Sequence, residues 1–351
     1  MTNNKQLVIG MPAGSLANPN RGGNLIQLLD DSGFKTAGYD AGGPSVFKTV
    51  NFLYGWDGRP QEFSAQLALQ ELDVAIAGDD WIEERIIEFK LEYGVDIELE
   101  QVMSLNRGGV RLVGIVKGDT PQANMESFLS DLCQQKKLIT VVAEMPYLAL
   151  NWVRKTLEKI GKLDEFNQFS VQKYKSPSKI ESGILIYETW GKTESKVLNG
   201  GADFGLEITQ SGSAIRNYGL RIIEEVYTSQ TSIWINPLLK TNSEKLELLK
   251  MFLLNIYGSI NAENKVLVTF NVPNSQCPNI DKYLSENNLF ADEPTMSIGK
   301  TYTVYNIQVD TKNGDVPLAM VRYKLAVLGA TNIDTLPIQS SIPGMGSINI
   351  G

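Results

Sequence analysis

The chain has 351 residues, of which 42% are hydrophobic and 21% are charged, which is the composition of a folded protein with a well-formed core. Because single hydrophobic cores usually stop growing at roughly 250–300 residues, more than one domain is expected. The formal net charge of −8 provides no general attraction to nucleic acid or to an anionic membrane surface.

Two residue types narrow the possible chemistry. The chain contains no histidine, which excludes histidine-dependent nucleophilic catalysis, histidine general bases and the usual imidazole sites for zinc and iron. Its two cysteines, Cys133 and Cys277, lie far apart and match no metal-binding pattern, so neither a disulfide framework nor a zinc site is expected. Catalysis must use carboxylates, hydroxyls, Lys or Arg, backbone amides, or a hard metal bound by oxygen.

The N-terminal sequence MTNNKQLVIGMPAG lacks the basic start and apolar core of a signal peptide. No uninterrupted apolar run approaches the ~18 residues that a membrane span needs. We therefore expect a cytoplasmic protein with no membrane partner and no nucleic-acid partner.

Strand-like and helical patterns alternate through the first 240 residues. QLVIGMP predicts a buried strand, and NLIQLLDDSGF predicts a helix that ends at Gly33. Further strands are predicted at DVAIAG, GVRLVGIVKGD and LITVVAEMP, with helices at residues 81–87 and 146–162. Strands separated by helices imply a mostly parallel sheet with covered faces, in which ligands bind at the carboxyl ends of the strands.

The C-terminal third has a different pattern. Residues 237–242 predict a hinge, followed by a long amphipathic helix with Ser243 as its N-cap. The segments that follow read strand, helix, strand, strand, helix, strand, which is the order of the ferredoxin-like split βαββαβ unit. This order predicts a separate C-terminal α+β module.

The segment ADFGLEITQSGSAIR is the main candidate for a phosphate site. Strand alternation places Glu207 and Thr209 on one side of a strand that leads into a Ser-Gly-Ser turn. Successive amides after such a turn can converge on a phosphate, and a carboxylate just before it can accept hydrogen bonds from ribose hydroxyls. A simple capped helix start has the same spacing, and the residues alone favour that interpretation.

Two other strand ends could face the same cleft. GDD at residues 78–80 could present amides and carboxylates to a ligand, although Asp79 or Asp80 is also a good N-cap for the helix that follows, which the residues favour. MPAGSL follows the first strand in the same way. The cations that we expect near these turns are Arg21, Arg59, Arg107 and Arg111.

Several blocks along the chain carry a family resemblance. They include VIGMPAGSL, DVAIAGDDWIEE, GGVRLVGIV, MPYLALNWV, WGKTESKVLNGGADFGLEITQSGSAIRNYGLRIIEEVY and YKLAVLGATNIDTLPI. In this order they resemble the ATP phosphoribosyltransferase family in its long form, the first enzyme of histidine biosynthesis. The longest block is the most specific, because its acidic-x-x-x-Ser/Thr-Gly-x-x-Leu/Ile core aligns without a gap to the family's phosphoribosyl diphosphate loop.

The resemblance implies a fold of two α/β lobes around a cleft, similar to type II periplasmic binding proteins, followed by an ACT-like regulatory domain that binds histidine. Lobe I would comprise residues 1–107 and 221–240, and lobe II residues 108–220, including the phosphoribosyl diphosphate loop. The ACT-like α+β domain would comprise residues 241–351.

The resemblance also implies residue roles. Glu207 would bind the ribose hydroxyls, and Ser211, Gly212 and Ser213 would surround the 5′-phosphate. The other implied ligands of phosphoribosyl diphosphate are Asp203, Thr209 and Ala214. The implied nucleotide-binding residues are Gly14, Ser15, Arg59, Gly78, Asp79 and Arg111. Glu207 and Arg59 are the implied catalytic residues.

The implied reaction joins the anomeric carbon of phosphoribosyl diphosphate to N1 of the adenine of ATP, with Mg²⁺ and release of diphosphate. Such a displacement depends mostly on positioning and on stabilising the leaving diphosphate, which a chain without histidine can achieve. The resemblance further implies histidine as an allosteric inhibitor and a homo-oligomer, a dimer or a hexamer. The sequence does not indicate the metal ligands.

Some positions depart from the family pattern. The family start commonly reads like Pro-Lys-Gly-Arg-Leu, whereas this chain has Ala13 and Ser15 at the basic positions, and Ala214 replaces a Thr of the loop. An insertion around NPNRGG carries Arg21, which could compensate. Two alternatives therefore remain: a paralogue on the same scaffold that uses a different heterocyclic acceptor, and a small-molecule-binding regulatory protein without catalysis.

Overall fold

The structure, a computed structural model, describes residues 6–13, 17, 24–39, 45–289, 295–348 and 350. By its internal contacts the chain forms two compact units. The first comprises Met1–Ile26 and Thr36–Leu248, and the second comprises Gln27–Lys35 and Leu249–Gly351. The lobe boundaries expected inside the first unit stay a prediction. Among the described residues, no helix is long and apolar enough to cross a membrane.

Strands and helices alternate along the first unit, as the sequence predicts. Its strands are β1 (Leu7–Pro12), β2 (Thr36–Ala37), β3 (Val46–Phe47), β4 (Leu53–Gly58), β5 (Val74–Gly78), β6 (Glu100–Lys117), β7 (Leu138–Ala143), β8 (Phe169–Lys173), β9 (Gly183–Glu188), β10 (Phe204–Thr209) and β11 (Leu220–Ile235). Its helices are α2 (Pro60–Ala68), α3 (Asp79–Glu88), α4 (Met125–Gln135), α5 (Pro146–Lys159), α6 (Thr193–Leu198) and α7 (Ser213–Asn217). Helix α1 (Leu25–Asp31) and helix α8 (Ser243–Ala262) each contribute residues to both units.

Nine of these strands form one mixed sheet in the order β4-β1-β5-β11-β6-β10-β7-β9-β8. Pairing is parallel at both ends of the sheet, between β4, β1 and β5 and between β10, β7, β9 and β8. The long strands β6 and β11 pair with each other and with both ends in antiparallel orientation. Two parallel halves are thus joined by two long strands, and the predicted α/β class with two halves is confirmed.

Strand β10 leads to the candidate phosphate loop, and it is buried on both faces. One face belongs to a core that contains Phe204, Leu206 and Trp152, and the rings of Phe204 and Trp152 meet edge to face at 5.6 Å between centroids. Residues of α6 and α7, including Val197 and Ile215, pack in a second core with neighbouring strands. Packing on both sides makes the end of β10 a rigid support for the loop.

Two helix starts differ from the sequence-based expectation. Helix α3 begins at Asp79 with Gly78 as N-cap, two residues before the expected start. Helix α8 begins at Ser243, but the capping oxygen belongs to Asn242, whose Oδ1 accepts a hydrogen bond from the Lys245 amide at 3.1 Å. The predicted Ser243 cap was therefore wrong, because the residue before it already satisfies the helix amide.

The second unit contains the predicted βαββαβ order. Its elements are β12 (Lys265–Pro273), α9 (Cys277–Glu286), β13 (Thr295–Ile298), β14 (Tyr302–Asp310), α10 (Leu318–Val327) and β15 (Thr331–Pro337). The strands form an antiparallel sheet in the order β13-β14-β12-β15. Alternate residues of β12, Val268, Phe270 and Val272, are buried in one core with residues of both helices. The ferredoxin-like α+β class of this module is confirmed.

Candidate active site

Polar side chains form a row at the carboxyl ends of three neighbouring parallel strands. The register pairs Leu206 of β10 with Ala143 of β7, and Ala143 with Glu188 of β9. The next residues in each strand direction are Glu207, Glu144 and Thr189. Because paired residues of parallel strands share a face, these three residues follow one another across the sheet.

The carboxylate of Glu207 is mostly buried and only partly satisfied. It accepts a hydrogen bond from the Thr193 side chain, while its Oε2 atom is buried without a partner in the described part of the chain. Burial raises the pKa of Glu207 to about 7, and the negative charges of Glu194 and Glu144 add to this effect. A buried carboxylate oxygen without a partner is costly to the folded protein, which makes Glu207 a candidate functional residue.

Gly205 has no side chain, and this leaves space for helix α6 to pack against β10 next to Glu207. A Cβ atom on Gly205 would lie 3.0 Å from Cγ2 of both Thr193 and Val197, which is tighter than ordinary packing. The Thr193 hydroxyl also lies 3.4 Å from that of Thr189, at the end of the neighbouring strand β9. Gly205 therefore lets α6 bring Thr193 against the Glu207 carboxylate.

The loop after β10 is held by bonds within itself. Thr209 Oγ1 accepts from the Gly212 amide at 2.9 Å, and the hydroxyls of Ser211 and Ser213 are 3.0 Å apart. Gly212 has φ +70°, a conformation that favours glycine, and Arg216 donates to the Ser211 carbonyl at 3.1 Å. The loop is therefore formed before any ligand binds, with the side chains of residues 211, 213 and 214 exposed.

Arg111 lies beside this loop. It pairs with Thr209 across β6 and β10, donates to the Gln210 carbonyl at 3.3 Å and forms an ion pair with Glu225 at 2.9 Å. It is absent from the residues that line the central cavity described next. The structure thus places Arg111 beside the loop after β10, and the nucleotide-binding role that the resemblance implied for it stays a prediction.

Asp203 lies at the opposite end of β10 from Glu207. Its Oδ2 accepts hydrogen bonds from the amide and the hydroxyl of Thr140 at 2.8 and 2.9 Å, and Lys136 forms an ion pair with its other oxygen. These bonds join the starts of two neighbouring strands. Asp203 is therefore bound by Thr140 and Lys136 at the start of β10, away from Glu207, and the binding role that the resemblance implied for it stays a prediction.

A central cavity of about 480 Å³ is lined by Glu144 of this row and by Ile208, the residue after Glu207, whereas Glu207 itself is not among its lining residues. Its lining brings together parts of several elements that are distant in sequence: Ala13, Arg59, Pro60, Gln61, Gly78, Asp80, Trp81, Gly108, Val110, Glu144, Ile208, Ser229 and Thr231. Arg59 and Gly78 are thus in one cavity, as expected. Ala13, at one of the positions where the family is commonly basic, also faces it. Gly14, Ser15 and Arg21 lie outside the described residues.

The two aspartates of GDD have different surroundings. Asp79 Oδ1 accepts from Trp234 Nε1 at 3.0 Å and is not among the lining residues of the central cavity. Asp80 lines it, and its backbone amide donates to Ser229 Oγ at 3.0 Å. Burial raises the pKa of both aspartates. Asp80 rather than Asp79 therefore faces the central cavity, because the Trp234 indole holds the Asp79 carboxylate, and the nucleotide role implied for Asp79 stays a prediction.

A second cavity of about 340 Å³ shares Gln61, Trp81 and Glu144 with the central one. It is strongly acidic, with Glu84, Glu88 and Glu188 among its other lining residues. The buried Glu84 carboxylate accepts hydrogen bonds from the Tyr147 and Leu148 amides at 2.9 and 2.7 Å, at the start of α5. Burial raises its pKa to about 8, while these amides oppose the shift.

Sequence reasoning missed three residues that the two cavities share. Glu144 directly follows the strand LITVVA, so the rule that ligands bind at the carboxyl ends of strands could have found it. Gln61 and Trp81 are in the first turns of two different helices, and no motif in the sequence marks them as neighbours. The structure also has a larger cavity of about 870 Å³, lined by Gln6 and by residues 45–51 and 53–57, which contains none of the expected site residues.

The HisG family model, described as ATP phosphoribosyltransferase, matches residues 59–255. An ATP phosphoribosyltransferase of Nitratidesulfovibrio vulgaris (Miyazaki F) is 27% identical over 325 residues, which cover 89% of this chain and 91% of the relative. That of Chlorobium luteolum is 28% identical over 280 residues, covering 78% and 79% respectively.

Among solved structures, a chain of the ATP phosphoribosyl transferase (HisG:HisZ) complex from Thermotoga maritima is similar at 16% identity and a TM-score of 0.48. The similarity covers 72% of this chain and 98% of that one. The family match includes Arg59, Gly78, Glu207 and the whole loop after β10. Because the family model matches more than half of the chain, residues 59–255, this chain belongs to the ATP phosphoribosyltransferase family.

Proposed function

We propose that this protein is a pentosyltransferase that joins the ribose 5-phosphate of phosphoribosyl diphosphate to N1 of ATP, with release of diphosphate, the first step of histidine biosynthesis. Family membership supports this reaction. The structural observation that supports it is the partly satisfied Glu207 carboxylate, which precedes a preformed Ser-Gly-Ser loop, while the next residue, Ile208, lines a cavity together with Arg59 and Gly78.

On the phosphoribosyl side, Glu207 would accept hydrogen bonds from the ribose hydroxyls. Its unpartnered Oε2 atom supports this role, because ligand hydroxyls would supply the missing donors. The exposed hydroxyls of Ser211 and Ser213 would bind the 5′-phosphate, in a loop whose turn Gly212 permits with φ +70°. Thr209 would act through the loop, since its hydroxyl already holds the Gly212 amide. Arg111, which bonds to the Gln210 carbonyl, would orient the loop.

On the nucleotide side, the central cavity would take ATP. Arg59 is the cation that we propose for the triphosphate or the leaving diphosphate, because its exposed side chain lines this cavity at the start of α2. Gly78 leaves the backbone accessible: a Cβ atom there would lie 2.4 Å from Asp80 Oδ1. Gly14 and Ser15 keep their implied nucleotide role as a prediction.

The proposed step is a displacement at the anomeric carbon. Adenine N1 donates its lone pair to that carbon, the bond to the diphosphate oxygen breaks, and the electron pair leaves with the diphosphate. The protein contributes by aligning the two substrates and by stabilising the departing charge. A site without histidine is sufficient, since no proton has to be removed from N1 before it attacks.

Magnesium fits the chemistry of this site. The described residues contain no cluster of three side chains that could hold a metal alone. Mg²⁺ typically binds through substrate phosphates and one or two carboxylates, and Asp80 and Glu144 both face the central cavity. The pKa of Glu144 is raised by burial and by the charge of Asp80, which a cation would relieve. When bound, Mg²⁺ would neutralise charge on the diphosphate.

The comparisons do not favour the two alternatives, a different acceptor or a protein without catalysis. One experiment separates all three: incubation with phosphoribosyl diphosphate, Mg²⁺ and ATP, with diphosphate release and the ultraviolet absorbance of the product as readouts. We expect turnover with ATP. Turnover only with other heterocycles, or binding without turnover, would contradict the proposal.

The βαββαβ topology of the second unit supports an ACT-like regulatory role for it, with histidine as the inhibitor. We expect histidine to shift the melting temperature, and the absence of a shift at millimolar histidine would argue against this ligand.

A homo-oligomer, a dimer or a hexamer, is proposed from the resemblance and is checked by light scattering. A cytoplasmic location is proposed because ATP and phosphoribosyl diphosphate are cytoplasmic metabolites.

A further inference from the structure

The side chain of Gln61 borders both cavities of the candidate site. Its Oε1 atom is buried and has no hydrogen-bond partner in the described residues. A buried amide oxygen without a donor costs roughly 1–3 kcal/mol relative to a satisfied one. The position of Gln61 on the wall of a ligand cavity indicates that a ligand supplies the donor.

The backbone holds Gln61 firmly in this position. Gln61 is in the first turn of α2, after Pro60, and the next residue but one, Phe63, is fully buried in the core. Proline at the start of the helix and a buried aromatic anchor fix the direction of this turn. The backbone at Gln61 is therefore fixed at a position where the residue lines both cavities.

The other acceptors in the central cavity differ from Gln61 in charge or in occupancy. Asp80 and Glu144 are carboxylates, and Asp80 Oδ1 already accepts from the Trp81 amide at 3.0 Å. Ser229 Oγ already accepts from the Asp80 amide. A second unpartnered group, Thr231 Oγ1, lines the same cavity in a residue that is 3% exposed. The cavity thus contains neutral polar groups with unfilled hydrogen bonds, as a site for a neutral heterocycle requires.

Trp81 supplies an aromatic surface next to Gln61. It also lines both cavities and is half-buried in the first turn of α3. A purine ring can stack on an indole while its edge forms hydrogen bonds with neighbouring polar groups. The combination of Trp81 and Gln61 is therefore suited to a base that carries a hydrogen-bond donor on its edge.

We propose that the buried Gln61 Oε1 accepts a hydrogen bond from the 6-amino group of the adenine, so that Gln61 selects a 6-aminopurine as the acceptor substrate. This inference rests on the proposed function. Attack by N1 places positive charge on the amidine unit formed by N1, C6 and the 6-amino nitrogen. An acceptor on that nitrogen is bound more strongly as the charge develops, so Gln61 would contribute to turnover as well as to binding.

The test is a thermodynamic cycle that combines one substitution in the protein with removal of one group from the ligand. Binding of ATP and of purine riboside 5′-triphosphate, which has hydrogen in place of the amino group, is measured by calorimetry for the wild type and for Gln61→Leu. We expect the wild type to prefer ATP by about tenfold, the ordinary value of one such bond. In Gln61→Leu the two ligands should bind within about twofold of each other.

Gln66→Leu is the matched control. Gln66 is on the same helix and also has a buried Oε1 without a partner, but it lines neither cavity. This variant should keep the tenfold preference. A preference that persists in Gln61→Leu overturns the inference. Should that variant fail to fold, equal binding of the two ligands by the wild type overturns it as well.

Turnover of the wild type distinguishes this inference from the proposed function. Release of diphosphate from phosphoribosyl diphosphate and ATP, together with an unchanged preference in Gln61→Leu, would reject only the role of Gln61. Preferential binding of ATP that depends on Gln61, without any turnover, would reject only the proposed reaction.

Discussion

The buried carboxylates on the two sides of the candidate site differ in how completely they are hydrogen-bonded. On the proposed nucleotide side, the Asp79 carboxylate accepts from the Trp234 indole and the Asp80 carboxylate accepts from the Trp81 amide, while the Asp80 backbone amide donates to Ser229 Oγ. On the phosphoribosyl side, Glu207 keeps one buried oxygen without a partner in the described residues. Satisfied carboxylates shape a cavity, whereas an unsatisfied carboxylate lowers stability until a ligand completes its hydrogen bonds. The comparison predicts that changes on the two sides affect function and stability differently.

The largest effect is expected for Glu207→Ala. Loss of the carboxylate should weaken binding of phosphoribosyl diphosphate by about 100-fold, because hydrogen bonds to a charged acceptor are lost. The free energy of unfolding at pH 8 should not fall, since the variant removes a poorly satisfied buried charge. Calorimetric titration and urea denaturation measure the two quantities. Glu158→Ala, an exposed position on α5, is the control, and unchanged affinity in Glu207→Ala would remove Glu207 from the site.

The next effect is a pH dependence of stability. Burial raises the pKa of Glu207 from 4.5 to about 7, so the folded protein binds this proton more tightly than the unfolded chain. Its contribution to stability is present at low pH and is lost as the pH rises from about 5 to 8, by about 2 kcal/mol. The amide side chain introduced by Glu207→Gln does not ionise in this pH range. Urea denaturation at pH 5 and 8 should show a smaller pH-dependent loss in this variant than in the wild type, and equal losses would show that Glu207 is not buried as described.

The substitution Gly78→Ala tests whether the position of the Asp80 carboxylate matters for the proposed binding of ATP. Gly78 has φ −65°, which any residue can adopt, but a Cβ atom would lie 2.4 Å from Asp80 Oδ1. Gly78→Ala should displace the Asp80 carboxylate and weaken ATP binding by about tenfold. Binding of phosphoribosyl diphosphate should change by less than about twofold. Gly109→Ala is the control, because its nearest neighbour would be 4.0 Å away, and similar ATP affinity in both variants would contradict a role for Asp80.

The smallest effect is expected at Ala214. The exposed Ala214 occupies a loop position where the family has Thr, so Ala214→Thr should add one hydroxyl donor to the phosphate site. A single neutral hydrogen bond contributes about 1 kcal/mol, which predicts roughly fivefold tighter binding of phosphoribosyl diphosphate. ATP binding should stay the same. A gain for ATP alone would place residue 214 on the other side of the site.

Local patterns in the sequence were sufficient for the order of strands and helices. Hydrophobic runs and helical spacing predicted β5, β7, β10 and the βαββαβ module, because burial of one face depends on the side chains of each segment. The position of the candidate loop was also predicted from the local pattern, because a Ser-Gly-Ser turn follows a strand. Its Gly212 has φ +70°, a backbone conformation that glycine tolerates.

The tertiary structure decided which polar groups meet. Asp203 directly precedes β10 and Glu207 lies within it, yet Thr140 and Lys136 bind the first while the second stays incompletely paired. Gln61, Trp81 and Glu144 come from three elements and share cavities only because long strands bring those elements together. The sequence by itself determined the elements and the candidate loop. Hydrogen-bond partners depend on contacts between distant segments, so the residues completing the site were decided by the fold.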